Sequence, residues 1–209
     1  MGPGPGDSLV VVLSAVVARW LLIVHAVLAV ALVGAATHWL IWLLKMRKQP
    51  GRIRSVRRFA LIAMVLYGAT MTVGLVLYPT YKARVKLEFL QRPAAVGADA
   101  RARLETSEEL SARIEGRPVR TASPGQLTEL EREAGQRSAR IARWFDVKEH
   151  WVAVGVALGL AALGVLAVWD PRRDGRGPTS FAIAAVAGTA AITWLAAIIG
   201  LITTATRSF

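Results

Sequence analysis

The sequence contains no cysteine, and this absence excludes several kinds of site. Disulfide bonds, thiolate metal sites, iron–sulfur clusters and covalently attached c-type haem all require cysteine. The P-loop, the dinucleotide-binding fingerprint and the HExxH zinc motif are also missing. No basic residue occurs in residues 1–7, so we expect no secretory signal, which would open with a basic region.

Acidic residues are scarce, because 14 Asp and Glu stand against 26 Lys and Arg, for a formal net charge of +12. In a soluble protein this balance would indicate a nucleic-acid partner. Here the basic residues gather beside apolar runs, and no nucleic-acid recognition motif accompanies them. We therefore expect the lipid bilayer as the partner of this charge, and no nucleic acid.

Long apolar runs dominate the rest of the chain. Apolar residues make up 54% of it and the mean hydropathy is +0.44, which is typical of an integral membrane protein. A helix of about 20 apolar residues crosses the hydrocarbon core. The stretches that meet this length are residues 20–44, 59–78, 150–169 and 179–204. Residues 8–18 are predicted to be an interfacial or tilted lead-in, followed by Arg19, which can snorkel to the headgroups.

The basic residues also predict an orientation, because short cytoplasmic loops are rich in Lys and Arg. The short loops after the first and third spans are dense in such residues: Lys45, Arg47, Lys48, Arg52, Arg54, Arg57, Arg58, Arg172, Arg173 and Arg176. We expect both loops in the cytoplasm, and both termini and the long loop 81–147 outside. The expected location is the inner (cytoplasmic) membrane of a bacterium.

The long loop is predicted to be helical in part. The second helix should continue beyond Pro79, kinked, as far as Pro93. Residues 94–122 either hold a short helix or are mobile. Ser123 and Gln126 form a capping box that opens a helix running directly into the third span.

The predicted fold is therefore all-α: an integral membrane four-helix bundle with an extramembrane helical hairpin between helices 2 and 3. Its parts are an N-terminal tail and lead-in, transmembrane helices 1 and 2, the extramembrane helical loop, and transmembrane helices 3 and 4, at residues 1–19, 20–80, 81–147 and 148–209.

Small residues recur within the spans, as at Gly155 and Gly159. We interpret them chiefly as sites where helix backbones approach closely. The alternative is that they make room for a flat cofactor, because Ala153 and Ala157 share a helix face with His150.

The sequence has three histidines, and two of them are predicted at similar depth. His25 lies near the outer end of the first span and His150 at the outer end of the third. His38 follows His25 by thirteen residues, about 20 Å along a helix, and is interpreted as an interfacial anchor beside Trp39.

Other polar residues are predicted at the level of His25 and His150, namely Tyr78, Tyr81 and Glu149. The two histidines are suited to be the axial ligands of a haem b, with the other three residues beside it. The same cluster could instead hold a quinone headgroup or a metal, or pass protons. A third reading is that both imidazoles only bond to headgroups or to backbone carbonyls.

His25 in its apolar surroundings, Gly34 nine residues later and His150 at the start of a later helix resemble four-helix membrane b-type cytochromes and copper-resistance D-type membrane proteins. The resemblance covers the first and third spans, and it implies a haem-binding bundle that handles electrons or quinones beside redox partners. The chain departs from these families in having one plausible histidine pair, where two-haem families have two, and scattered methionines.

We therefore expect a membrane subunit that binds one b-type haem and relays electrons to or from quinone or a periplasmic partner. The alternative is a non-enzymatic accessory or assembly subunit of a membrane complex. In that role the outer hairpin would dock onto other membrane or periplasmic subunits.

The orientation predicts a labelling pattern, and the absence of native cysteine removes any background. Single cysteines at Gln49 and Gly175 should resist an impermeant thiol reagent in intact cells, and one at Ala98 should react. Labelling in the opposite pattern would show that the chain is inserted the other way round.

Overall fold

A computed structural model describes residues 12–47, 52–169 and 177–206. The regular elements within them are all helical: α1 Ala15–Met46, α2 Ile53–Thr80, a π-type extension Tyr81–Leu90, α3 Pro93–Glu115, α4 Pro124–Val168 and α5 Thr179–Thr206. Some residues named above lie outside this description: residues 8–11 of the predicted lead-in, Lys48, Gln49, Arg172, Arg173, Gly175 and Arg176.

Four helices are long and apolar enough to cross a membrane: α1, α2 with its extension, α4 and α5. The chain is therefore an all-α, multi-pass membrane protein, and the predicted number of spans is confirmed. The helix of the first span starts earlier than its predicted boundary, at Ala15. Ser14 caps it, because its side chain accepts a hydrogen bond from the Val17 amide at 3.4 Å.

Each spanning helix packs on two of the others, in the order α1, α2, α4, α5 around the bundle. α1 and α4 stand diagonally opposite, and no Cα atoms of the two helices come within 8 Å of each other in the described residues. The larger core fills one end of the bundle around the fully buried Trp39, Leu43 and Leu166. We call this the loop end, because α2 begins and α4 ends there.

The glycines of α4 allow the close packing that their spacing indicated. A Cβ atom at Gly155 would overlap the Tyr67 hydroxyl of α2 and lie 3.0 Å from Ile192 of α5. One at Gly159 would lie 2.5 Å from the sulfur of Met64. These two positions therefore set the distance between α4 and its neighbours.

The second helix continues past its proline, as predicted. Pro79 has no N–H to donate to the carbonyl of Leu75, and the helix widens into the π-type extension two residues later. The extension, α3 and the N-terminal half of α4 pack together around a second apolar cluster that includes Val85, Phe89 and Ile141. We call this the hairpin end of the bundle.

The helices of the long loop are well defined at their ends. The predicted capping box is confirmed, since the Ser123 amide donates to Gln126 Oε1 at 2.9 Å and the Gln126 amide to Ser123 Oγ at 3.4 Å. α4 then runs without a break for 45 residues into the third span, also as predicted. Of the two alternatives for residues 94–122, the structure has a helix, α3, which ends at Gly116 with φ 64°.

An ion pair holds the connection between α3 and α4. Arg117 Nη1 lies 2.5 Å from Glu108 Oε1, and the Arg120 amide donates to the same oxygen at 3.0 Å. The hydrogen bond from Arg117 lowers the pKa of Glu108 to about 2. The stabilisation from this lowered pKa is present above the ordinary carboxyl pKa of about 4.3 and is lost as the pH falls through 2.

One of the basic residues of the first loop closes the end of another helix. The guanidinium of Arg57 donates from Nε to the Leu166 carbonyl at 2.6 Å and from Nη2 to the Trp169 carbonyl at 3.0 Å. These carbonyls belong to the C-terminal turn of α4, where no intrahelical donor is available. Arg57 thus ties the start of α2 to the end of α4.

Replacing Arg57 by Ala should destabilise the protein by about 2 kcal/mol, because buried carbonyls lose charge-assisted hydrogen bonds. Arg58→Ala is the matched control, since Arg58 is the next residue and its side chain is exposed. Thermal unfolding in detergent measures both. Equal melting temperatures for the two variants would contradict this role of Arg57.

Candidate functional site

Polar side chains gather at the hairpin end, where the second helix passes its proline and runs alongside α4. We call Tyr78, Tyr81, Lys86, Asp146 and Glu149 the boundary cluster. The first three come from α2 and its extension, and the last two from α4. The widened backbone after Pro79 changes the direction in which the following side chains point, and it brings the extension against α4.

An ion pair and a ring stack join the two helices here. Lys86 Nζ lies 2.5 Å from Asp146 Oδ1, with 18% of the lysine side chain and 46% of the aspartate side chain exposed. The rings of Tyr81 and Phe145 stack with centroids 3.8 Å apart and 21° between their planes. The ion pair therefore faces the surface, and the stacked rings lie beneath it.

Glu149 lies in the same cluster with its carboxylate partly buried. Tyr78, Asp146 and Lys86 lie close enough to Glu149 to influence its ionisation. Its Oε1 atom is buried and has no hydrogen-bond partner among the described residues, and the same is true of the Tyr81 hydroxyl. Leaving a buried polar atom without a partner costs about 1–3 kcal/mol. Two such oxygen atoms in one cluster make the boundary cluster the candidate functional site.

Lys148 is a member of this region that the sequence reasoning missed. Its Nζ lies 5.3 Å from the ring centroid of Phe145 and would be 3.3 Å from a Cβ atom at Gly200 of α5. The side chain therefore points towards α5 inside the bundle. The available signal was a charged residue two positions before a predicted span.

His25 packs against α2. Its Nδ1 atom is 3.1 Å from the Thr70 carbonyl, and its Cε1 would be 3.1 Å from a Cβ atom at Gly74. Gly74 thus makes room for the imidazole between the two helices.

His150 points away from the bundle. Its side chain is exposed, and Nδ1 bonds to the carbonyl of Asp146 in its own helix at 2.9 Å. Ala153 and Ala157, on the same face, are exposed too. The alanines that were considered as room for a cofactor therefore face the surroundings of the bundle.

The structure does not bring His25 and His150 together. They lie on helices at opposite corners of the bundle, and only His25 faces its interior. These residues do not fit a haem held by both imidazoles between α1 and α4. His38 bonds to the Gly34 carbonyl at 2.8 Å and stacks on Phe59 with a centroid distance of 5.7 Å.

Tyr78, Tyr81 and Glu149, by contrast, lie in one cluster. No group of three or more His, Cys, Asp or Glu able to hold a metal ion occurs in residues 12–47, 52–169 and 177–206. Comparison with protein families, with curated proteins and with solved structures finds no match to this chain.

The two histidines should respond differently to replacement. His25→Ala removes a hydrogen bond between helices and leaves a gap beside Gly74, and it should cost about 1–2 kcal/mol. His150→Ala removes an exposed side chain and should change stability by less than about 0.5 kcal/mol. Thermal unfolding of the purified variants measures both. A large loss of stability in His150→Ala would show that the His150 side chain makes a stabilising contact other than its hydrogen bond to the Asp146 carbonyl.

Proposed function

We propose that this chain is a membrane subunit that binds a quinone headgroup at the boundary cluster and supplies a proton to it through Glu149. The observation that carries the proposal is the buried Glu149 oxygen without a partner, next to the buried Tyr81 hydroxyl without a partner. A quinone offers carbonyl acceptors, so it fits a tyrosine hydroxyl and a protonated carboxyl group as donors. Reduction of a quinone to a quinol needs electrons and protons, and the electrons would come from a redox partner.

The position of the cluster supports a membrane-soluble ligand. Tyr78 and Glu149 stand at the ends of the predicted second and third spans, where a headgroup lies when its apolar tail is in the hydrocarbon. Asp146, which is partly exposed, and Lys86 connect the cluster with the surface. We place this end of the bundle, with the extramembrane hairpin and both termini, outside the cytoplasm of a bacterium, in line with the basic residues of the first loop.

Protonation of Glu149 is the step that the geometry favours on binding. Burial and the nearby Asp146 carboxylate raise the pKa of Glu149, and the charge of Lys86 opposes this rise in part, so the carboxyl group is poised to gain a proton. A quinone carbonyl can only accept a hydrogen bond, and so can a carboxylate. A hydrogen bond between Glu149 and the quinone therefore requires that the Glu149 carboxylate first gains a proton. Binding should therefore take up a proton from the solvent.

Isothermal titration of the purified chain with a short-tailed quinone, in two buffers of different ionisation enthalpy, tests this step. The difference between the two heats gives the protons taken up. Wild-type protein should take up protons on binding, and Glu149→Gln should bind without doing so. Tyr81→Phe should bind about tenfold more weakly, which corresponds to one lost hydrogen bond of about 1.4 kcal/mol.

Glu105→Gln is the control, because Glu105 is an exposed glutamate of α3 outside the cluster. It should behave as wild type in both buffers. The proposal is wrong if no quinone binds, or if proton uptake is the same with and without the Glu149 carboxyl group.

An accessory role remains the second candidate, and a separate observation favours it. The end of α3 and the segment after it expose apolar side chains: Leu110, Ile114 and Val119, with Ile114 77% exposed. Such side chains form a surface on which another subunit could dock. The haem-mediated electron relay expected from the sequence stays a prediction, which the visible absorption spectrum of the purified protein tests.

A further inference from the structure

A second feature of the hairpin end is an apolar groove between α4 and α5. It has a cavity volume of about 200 Å³ and is lined by Ile141 and Trp144 of α4 and by Leu195, Ile198, Ile199 and Ile202 of α5. Trp144, Ile198 and Ile202 are each about half exposed. The groove is thus open towards the surroundings of the bundle and is separate from the boundary cluster.

The groove lies at the level of the predicted membrane boundary. Gly200 stands beside Lys148, which precedes the predicted third span by two residues. The groove residues of α5 extend from Leu195 to Ile202, on both sides of that level. An exposed tryptophan on its wall, Trp144, is typical of the boundary between hydrocarbon and headgroups.

Arginines stand just above the groove on α4. Arg137 precedes Ile141 by four residues, and Arg140 precedes Trp144 by four. Residues four apart lie on the same face of a helix, so both arginines are one turn further from the membrane than the groove. Both are exposed, and among the described residues neither forms a salt bridge with a carboxylate.

A third arginine reaches the same region from α3. Arg103 Nη2 donates to the Thr206 carbonyl at 3.1 Å, and Thr206 is one turn beyond the groove residue Ile202. Arg103 also pairs with Asp99, so its charge is partly neutralised. The open end of the groove therefore has arginine side chains on both the α4 and the α5 side.

We propose that this groove is a specific binding site for an anionic phospholipid. One acyl chain occupies the groove, and the phosphate binds Arg137 and Arg140. The apolar side chains of the groove suit the acyl chain of such a lipid, and the guanidinium groups one helix turn above them suit its phosphate. The site shares no residue with the boundary cluster, so it stands independently of the quinone proposal.

Titration of the purified, delipidated full chain followed by native mass spectrometry measures this binding. The probes are phosphatidylglycerol and phosphatidylcholine with identical acyl chains. Phosphatidylglycerol should bind about tenfold more tightly to the wild type. Arg137→Gln together with Arg140→Gln should remove this preference, and Ile198→Trp, which fills the groove, should weaken the binding of both lipids.

The matched control is Arg54→Gln together with Arg113→Gln, which removes the same charge from exposed positions away from the groove. It should keep the preference, and an excess of inorganic phosphate should not displace the lipid. Equal affinity for the two lipids in the wild type would overturn the proposal. An equal loss of the phosphatidylglycerol preference in the control double variant would also overturn it. Displacement of the lipid by inorganic phosphate would overturn it too, because it would indicate a site for free anions.

Discussion

Backbone N–H and C=O groups find no partner in hydrocarbon, and this constraint shapes the whole molecule. It explains why the four membrane-spanning segments are helices. It also explains what happens where a helix is interrupted. Arg57 donates hydrogen bonds to the last carbonyls of α4. After Pro79, which cannot donate a backbone hydrogen bond, the second helix continues as the π-type extension.

The same constraint makes unpaired polar atoms informative. At the loop end, carbonyls that the helix leaves without a partner receive a guanidinium, and the surrounding side chains are apolar. At the hairpin end, buried oxygen atoms of Tyr81 and Glu149 have no partner in the described residues, although lysines and tyrosines stand close by. The loop end also has a buried polar atom without a partner in the described residues, the indole nitrogen of Trp39, but it lies among apolar side chains. The two oxygen atoms at the hairpin end lie among ionisable groups, and for this reason we assign ligand binding and proton exchange to that end. Structural packing alone does not account for those two atoms.

Most of the fold followed from hydropathy and capping signals, because both are local. The four spans, the helix continuing past Pro79 and the capping box at Ser123 are read from neighbouring residues. Which side chains of a helix face the bundle interior cannot be read from neighbouring residues, because it depends on which other helices pack against that helix. His150 was therefore expected to face His25, yet α4 turns it outward, and α4 directs Lys148 inward. The sequence alone therefore did not predict which helices stand diagonally and which are adjacent.

The central claim is that the Glu149 carboxylate gains a proton when a quinone binds. Infrared difference spectroscopy of the protein in lipid bilayers, with and without a short-tailed quinone, observes this directly. We expect binding to produce the C=O band of a protonated carboxyl group and to remove the bands of a carboxylate. Both changes should be absent in Glu149→Gln. A spectrum without a carboxyl band, or one in which the band persists in Glu149→Gln, would contradict the account.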